Sequence, residues 1–280
     1  MSGDEKIVYF YWPQCYYCQR VTIALHEKNI PFQEHVVKLL KYENFEPEYV
    51  KKNPLCLVPV IEDHDTLINE SDRIIDYLEN KFSLTTKLYP EKSNKKEWED
   101  IEKFKDLISN LPVSPIFYGC QLSSKYAKNI KMHPEFVDKY ISTVRHKAEY
   151  LKRMAEINPD LKDIYEKKMK IAQNLEIDKM TSDLDTNIQK MIEGFNIIEQ
   201  QLIEMESHNK SWLCTGFFSV ADVYLVVLMH RMNVMGLEKI IWDNPDNPLR
   251  HVSEYYKKAL EKSSVKQMIP KYELGATGAD

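Results

Sequence analysis

The sequence predicts two domains, a small α/β domain followed by a larger all-helical domain. Strand and helix patterns alternate over the first 80 residues, whereas glycine is scarce (7 of 280 residues) and helical periodicity dominates after residue 90. A chain of 280 residues is long enough for two ordinary domains, each with its own core. We therefore expect domains over residues 1–84 and 91–272, joined by a polar segment that contains Pro90.

The N-terminal domain is predicted to begin with a β-α-β unit. The first run is rich in β-branched and aromatic residues, the second has apolar residues at helical spacing, and the third alternates like a strand. Two further short strands around a polar turn and a closing helix complete the domain. The predicted strands cover residues 7–11, 32–37, 57–61 and 66–68, and the predicted helices cover residues 20–28 and 71–82.

The helical domain is predicted to carry a long helical hairpin as an insertion at about residues 115–182. A first helix over residues 95–110 should be broken by Pro112 and Pro115. Apolar residues then recur every three or four positions over residues 136–158 and again over 161–175, with charge on the remaining surface. That charged surface is either a solvated face or a site for a protein partner.

Two later helices of this domain have predicted N-terminal caps. Asp183 is expected to cap one helix. Ser219 and Asp222 form a predicted capping box at the start of an apolar helix, which should lie at the centre of the domain.

Composition and charge exclude several classes of protein. A charged fraction of 29% beside 43% hydrophobic residues is typical of a soluble globular protein, and a net charge of −5 gives no attraction to nucleic acid. The apolar run at 223–229 is far shorter than the ~20 residues of a spanning helix, and the N-terminus resembles neither a signal nor a transit peptide. Five cysteines suit a reducing compartment, so the chain as it stands is expected to be cytosolic.

Cys15 and Cys18 form a Cys-x-x-Cys motif between the first strand and the first helix, so we expect the α/β domain to have a thioredoxin-like fold with a redox site at this position. Unsatisfied amides and the helix dipole at a helix N-terminus stabilise a thiolate, so the pKa of Cys15 should be low. The alternative is that both cysteines are buried as apolar residues.

Two further pairs are candidate binding residues. Val58-Pro59 opens a predicted strand, and a cis peptide bond there would place the Val58 backbone opposite Cys15. Glu70-Ser71 precedes an amphipathic helix, where the pair either caps the helix or receives an amino-acid head group, with the carboxylate on the amides and the ammonium on Glu70.

Metal binding is not predicted. None of the eight histidines has metal-ligand spacing with another ligand. His230 lies on the predicted core helix, where we expect a hydrogen-bonded polar residue.

Residues 15–20, residues 51–60 and Glu70-Ser71 resemble the glutathione transferase superfamily, in particular its omega-class and glutaredoxin-like branch. This resemblance implies that Cys15 is the thiol site, that Val58 with Pro59 contacts the cysteinyl group of glutathione, and that Glu70 and Ser71 bind the γ-glutamyl group. Omega-like members have a lysine before the proline at position 47, which helps to hold the glycine carboxylate of glutathione. Here that residue is Glu46, and glutathione binding is left open.

Residues 45–49, 155–161 and 212–242 resemble a narrower group, the ganglioside-induced differentiation-associated protein 1 family. Ordinary transferases lack the hairpin insertion in which the second segment falls. The family is tied to the mitochondrial outer membrane and usually continues into a hydrophobic segment and a C-terminal anchor, whereas residues 275–280 here are small or polar. The resemblance therefore implies a location on the cytoplasmic side of that membrane.

Two functions are compatible with these features. The first is a regulator of mitochondrial dynamics and redox balance with weak or absent transferase activity, which binds glutathione or a lipid-like small molecule and uses the hairpin for a protein partner. The alternative is an omega-like, glutathione-dependent thiol transferase in which Cys15 attacks a mixed disulfide and Cys18 resolves it. Whether the chain is an enzyme stays open at this point, and so does a homodimer, which is common among transferase folds.

Overall fold

The computed structural model describes residues 7–269, and its first part is a four-stranded sheet with three helices. The strand order is β2-β1-β3-β4; β1 runs parallel to β2, with Ile7 opposite Phe32, and antiparallel to β3, which is antiparallel to β4. The strands are β1 Ile7–Tyr11, β2 Phe32–Val36, β3 Val60–Asp63 and β4 Thr66–Asn69, and the helices are α1 Tyr16–Glu27, α2 Pro47–Lys52 and α3 Ser71–Lys81. The predicted thioredoxin-like α/β fold is confirmed.

The third strand begins later than predicted. It starts at Val60 rather than at residue 57, because Pro59 has no amide hydrogen to donate to the ladder. Val58 therefore lies outside the sheet, and its backbone groups are available to other partners.

The rest of the described chain is helical, as predicted. Its helices are α4 Lys95–Asn110, α5 Val113–Leu122, α6 Pro134–Ile157, α7 Lys162–Gln173, α8 Leu184–Ser207, α9 Val220–Val234, α10 Glu238–Ile241, α11 Arg250–Leu260 and α12 Ser263–Met268. Pro115 does not break a helix: it lies in the first turn of α5, where a missing amide hydrogen costs no intrahelical bond. Asp183 precedes α8, but its side chain makes no capping hydrogen bond.

The predicted hairpin is formed by α6 and α7, and it packs against the N-terminal domain. One apolar cluster joins residues of the hairpin to residues of α2 and its flanks: Phe45, Val50, Cys56, Leu151, Met154, Ala155, Leu161 and Tyr165. The Tyr165 hydroxyl donates a hydrogen bond of 2.9 Å to the Phe45 carbonyl oxygen. The apolar stripe of the hairpin thus covers the N-terminal domain, and most of the charged residues of the hairpin are exposed.

The proposed limits of the two domains and of the insertion stay predictions. Residues 1–6 and 270–280, which include the polar N-terminus and the small residues at 275–280, lie outside the described part of the chain. Within residues 7–269, no helix combines the length and the apolar character that crossing a membrane requires.

The predicted capping box at the start of α9 is present, and it surrounds a buried carboxylate. Asp222 accepts hydrogen bonds from the amides of Leu213 and Ser219 at 2.8 and 2.7 Å, and from the hydroxyls of Ser219 and Tyr255 at 2.7 and 2.8 Å. Burial raises the pKa of Asp222, against the effect of these donors. The carboxylate ties α9 to α11 and to the loop before α9.

Replacing this carboxylate should strongly destabilise the helical domain. Asp222→Ala is expected to lower the free energy of unfolding by about 3 to 5 kcal/mol, because several buried donors lose their acceptor together. Asp222→Asn keeps the shape and one accepting oxygen, so it should cost less. Urea unfolding followed by tryptophan fluorescence measures both, and equal stability of Asp222→Ala and wild type would contradict this assignment.

Candidate active site

Cys15 is the N-cap of α1, and its sulfur is the acceptor for the first turn of that helix. The Cys18 amide lies 3.5 Å from Cys15 Sγ, and the Cys15 amide donates to the Trp12 carbonyl at 2.9 Å. The side chain is partly exposed, unlike the other four cysteines, which are buried free thiols. The interpretation that both motif cysteines are buried therefore fails for Cys15.

Several groups stabilise the thiolate of Cys15. A hydrogen bond from the Cys18 side chain, the amides of Cys18 and Tyr17, and the positive charge of Arg231 lower the pKa of the Cys15 thiol to about 7, although burial opposes them. Arg231 is buried on α9 and donates a 2.7 Å hydrogen bond to the Gln14 carbonyl, next to Cys15. At neutral pH a large fraction of Cys15 is the reactive thiolate.

Cys18 has a different environment. Its side chain is fully buried in α1, and burial, followed by the interaction with Cys15, raises its pKa well above the ordinary thiol value. A thiol in that state is a poor nucleophile, so the geometry favours Cys18 as a donor to the Cys15 sulfur.

The Val58–Pro59 peptide bond is cis, as predicted. The Val58 carbonyl oxygen lies 3.8 Å from Cys15 Sγ, so this backbone segment faces the thiol. The predicted proximity of Val58 and Cys15 is therefore present.

Glu70 and Ser71 lie at the start of α3, but neither side chain caps the helix. The capping interpretation is therefore wrong. Ser71 is buried, and its hydroxyl lies 3.3 Å from the Asp72 carboxylate. Glu70 is exposed and has φ of 68°, a left-handed conformation that is uncommon for a residue with a side chain. Such strain often marks a functional segment.

A cavity of about 510 Å³ opens between the hairpin and the N-terminal domain, with Cys15 in its wall. The N-terminal domain contributes Cys15, Tyr17, Leu39, Leu40, Asn44, Phe45, Cys56, Leu57 and Val58. The hairpin and the segment after it contribute Tyr140, Thr143, Val144, Lys147, Lys168, Ile171, Ala172 and Leu175. Cys15 and Val58 thus meet in one cavity, whereas Glu70, Ser71, Pro59 and Cys18 do not line it.

Glu46 has a role in the structure that differs from holding a ligand. Its carboxylate accepts a 3.0 Å hydrogen bond from the Tyr150 hydroxyl on α6, and it does not line the cavity. The residue that replaces the lysine of omega-like proteins is therefore used to hold the hairpin in place.

Four residues around the thiol were not identified from the sequence: Tyr140, Lys147, Lys168 and Arg231. Arg231 carries the positive charge of a mainly apolar helix, and this unusual setting was the one signal that could have singled it out. The other three lie on the hairpin, whose contact with the N-terminal domain no local pattern reveals.

Metal ligands do not cluster anywhere in residues 7–269: no group of three or more His, Cys, Asp and Glu residues has a suitable arrangement. His230 is buried, and burial lowers its pKa to about 3, with Arg231 adding to the effect. Its Nε2 atom has no hydrogen-bond partner among the described residues, so the expectation of a fully hydrogen-bonded histidine is wrong.

Comparisons with known proteins agree with this fold. The family model for the glutathione S-transferase N-terminal domain matches residues 14–81. Human ganglioside-induced differentiation-associated protein 1-like 1 is 29% identical over 257 residues, which are 87% of this chain and 69% of the human protein. Glutathione S-transferase TCHQD of Arabidopsis thaliana is 24% identical over 254 residues, which are 91% of this chain and 86% of that protein.

Solved structures show the same fold. Glutathione transferase F7 from Populus trichocarpa superposes with a TM-score of 0.62 and 18% identity, covering 94% of this chain and 97% of that one. Glutathione S-transferase-I, solved with bound lactoylglutathione, has a TM-score of 0.59 and 14% identity, covering 94% and 98%.

The fold defines a glutathione S-transferase-like protein. The predicted resemblance to the ganglioside-induced differentiation-associated protein 1 family is confirmed over most of the chain.

Removing the Cys18 thiol should make Cys15 less reactive at neutral pH. In Cys18→Ala the thiolate loses its largest stabilising hydrogen bond, so the pKa of Cys15 should rise and alkylation by iodoacetamide at pH 7 should slow by about tenfold. Cys18→Ser keeps a hydroxyl donor and should stay closer to wild type. Mass spectrometry of the alkylated protein gives the rates, and an unchanged rate in Cys18→Ala would refute the role given to Cys18.

Proposed function

We propose that this protein is a glutathione-dependent thiol transferase of low activity, with Cys15 as its nucleophile. The observation that carries the proposal is a thiol with a pKa of about 7 that opens into a cavity opposite the Val58 backbone. A partly exposed thiolate of this kind reacts with disulfides at neutral pH.

The reaction is an exchange of disulfide bonds. The Cys15 thiolate attacks the glutathione sulfur of a mixed disulfide, a Cys15–glutathione disulfide forms, and the substrate thiolate leaves and takes a proton from water. The thiolate of a second glutathione molecule then attacks that disulfide, which releases oxidised glutathione and restores the Cys15 thiolate. Cys18 is buried with a raised pKa, so we assign it no resolving step.

The residues around Cys15 suit a glutathione ligand. The Val58 carbonyl can accept a hydrogen bond from the cysteinyl amide of the ligand, next to the reacting sulfur. Glu70 and the first amides of α3 can receive the γ-glutamyl ammonium and carboxylate, which agrees with the strained backbone at Glu70. A structural neighbour solved with lactoylglutathione supports this ligand class by analogy.

A rate measurement tests the proposal. Cys15→Ser should reduce the release of thiol from a glutathionylated peptide to the uncatalysed rate in the presence of glutathione, because serine is not ionised near pH 7. Cys120 is a matched control, since it is buried away from the cavity and burial raises its pKa to about 12. Cys120→Ala should keep the wild-type rate, and a wild-type rate in Cys15→Ser would refute the proposal.

We also propose a regulatory role in mitochondrial dynamics and redox balance, at the cytoplasmic side of the mitochondrial outer membrane. Two observations favour it: the similarity to human ganglioside-induced differentiation-associated protein 1-like 1, and a hairpin whose outer surface keeps exposed charges such as Lys152 and Lys167. Because the inner surface of the hairpin lines the cavity, a partner would bind the outer surface.

Charge reversal on that outer surface separates the two roles. In cells, Lys152→Glu/Lys167→Glu should abolish the effect of the protein on mitochondrial shape, whereas thiol transfer by the purified variant stays at the wild-type rate. Lys239→Glu/Lys257→Glu makes the same change of charge outside the hairpin and should leave both properties intact. Microscopy of the mitochondrial network gives the first readout, and loss of the effect in both variants would argue against a role of the hairpin.

A further inference from the structure

Two lysines project from the hairpin into the wall of the Cys15 cavity. Lys147 lies on α6 and Lys168 on α7, and both side chains are half-buried. The cavity wall contains no aspartate or glutamate, and most of its other residues are apolar. The hairpin thus adds positive charge, without a compensating negative charge, to the cavity that holds the thiol.

These two ammonium groups have no partner in the described part of the protein. Among the side chains that the structure describes, no carboxylate lies within ion-pair distance of either one, in contrast to Lys162 on the same hairpin, which pairs with Glu166. Burial lowers the pKa of Lys147, and the nearby charge of Lys168 adds to the effect. Partly buried cations without counter-charges favour an anion that enters the cavity.

The residues that line the cavity together with Lys147 and Lys168 indicate which anionic group the two lysines bind. Burial raises the pKa of the Cys56 thiol, and the nearby positive charge of Lys168 acts in the opposite direction. Cys56, Leu57 and Val58 follow one another along the cavity wall. Glu70 and Ser71 do not line the cavity. Tyr17 does line it, and its pKa is raised by burial, with the charge of Asp72, next to Ser71, adding to the effect. The lysines therefore line the cavity that holds Cys15, whereas the start of α3 lies outside that cavity.

We propose that Lys147 and Lys168 form a subsite for a carboxylate of the ligand whose sulfur reaches Cys15, and that in glutathione this group is the glycine carboxylate. The γ-glutamyl end of the ligand then points to Glu70 and Ser71, and the glycine end passes Val58 and Leu57 to the hairpin. This inference rests on the proposed thiol-transfer function. It adds to that function two ligand-binding residues, both of which belong to the hairpin. Lys147 and Lys168 then supply the positive charge that omega-like proteins have at the position of Glu46. Here the Glu46 carboxylate accepts a hydrogen bond from Tyr150 of the hairpin instead.

A comparison of two ligands on three proteins tests this subsite. Isothermal titration calorimetry measures the dissociation constants of glutathione and of its glycine ethyl ester, which lacks the glycine carboxylate charge. The wild type should bind glutathione about tenfold more tightly than the ester, the preference expected from charge-assisted hydrogen bonds to one carboxylate. Lys147→Gln/Lys168→Gln replaces the two ammonium groups by neutral amides on side chains one bond shorter, and it should bind both ligands equally, within about twofold.

Lys152→Gln/Lys167→Gln is the matched control. It removes the same two charges from the exposed surface of the same helices, so it should keep the tenfold preference and exclude a general effect of net charge. Reaction of Cys15 with the uncharged reagent 2,2′-dithiodipyridine should proceed at the same rate in all three proteins, which shows that the site remains folded.

The outcomes separate this inference from the function on which it rests. Equal binding of the two ligands by the wild type, or a preference that survives in Lys147→Gln/Lys168→Gln, would overturn the lysine subsite. Failure of the thiol-transfer function would instead appear as a deglutathionylation rate that Cys15→Ser leaves unchanged. No heat from either ligand at millimolar concentration would overturn both.

Discussion

The contact between the helical hairpin and the N-terminal domain is the constraint on which the site depends. Three hairpin contacts define it: the Tyr150 ring stacks on Tyr42 with centroids 4.2 Å apart, the Tyr42 hydroxyl donates to the Thr143 carbonyl at 2.6 Å, and Tyr165 donates to Phe45. These tyrosines surround the apolar cluster that joins the two parts. Because of this contact, the groove beside Cys15 becomes a cavity with a wall on the hairpin side.

The hairpin therefore affects the chemistry of the Cys15 cavity as well as its shape. On the side of α1, the N-terminal amides, the Cys18 side chain and Arg231 stabilise a thiolate, and their effect does not require the hairpin. On the opposite side, α6 and α7 contribute Tyr140 and two lysines. The Cys15 thiol and the two hairpin helices thus line the same cavity.

Much of the fold follows from local patterns in the sequence. The strands, the helices and the capping box at Ser219 depend on neighbours within a few positions, and so does the helix N-terminus at Cys15. The pairing of Glu46 with Tyr150 joins residues more than 100 positions apart, and Lys147 and Lys168 are likewise far in sequence from Cys15, with which they line one cavity. Such contacts form only when the hairpin packs against the N-terminal domain. The spacing of apolar residues predicts the two helices but not the surface on which they pack. The capping interpretation of Glu70 and Ser71 failed because residue type alone does not reveal a left-handed backbone.

A double-mutant cycle between Tyr42 and Tyr150 tests most directly whether the hairpin rests on the N-terminal domain in solution. The free energy of unfolding in urea is measured for wild type, Tyr42→Ala, Tyr150→Ala and the double variant. A docked hairpin predicts that the two losses are not additive, with a coupling energy of about 0.5 to 1.5 kcal/mol for the stacked rings. Strict additivity would mean that the rings do not touch, and it would contradict the hairpin wall of the cavity that holds Cys15.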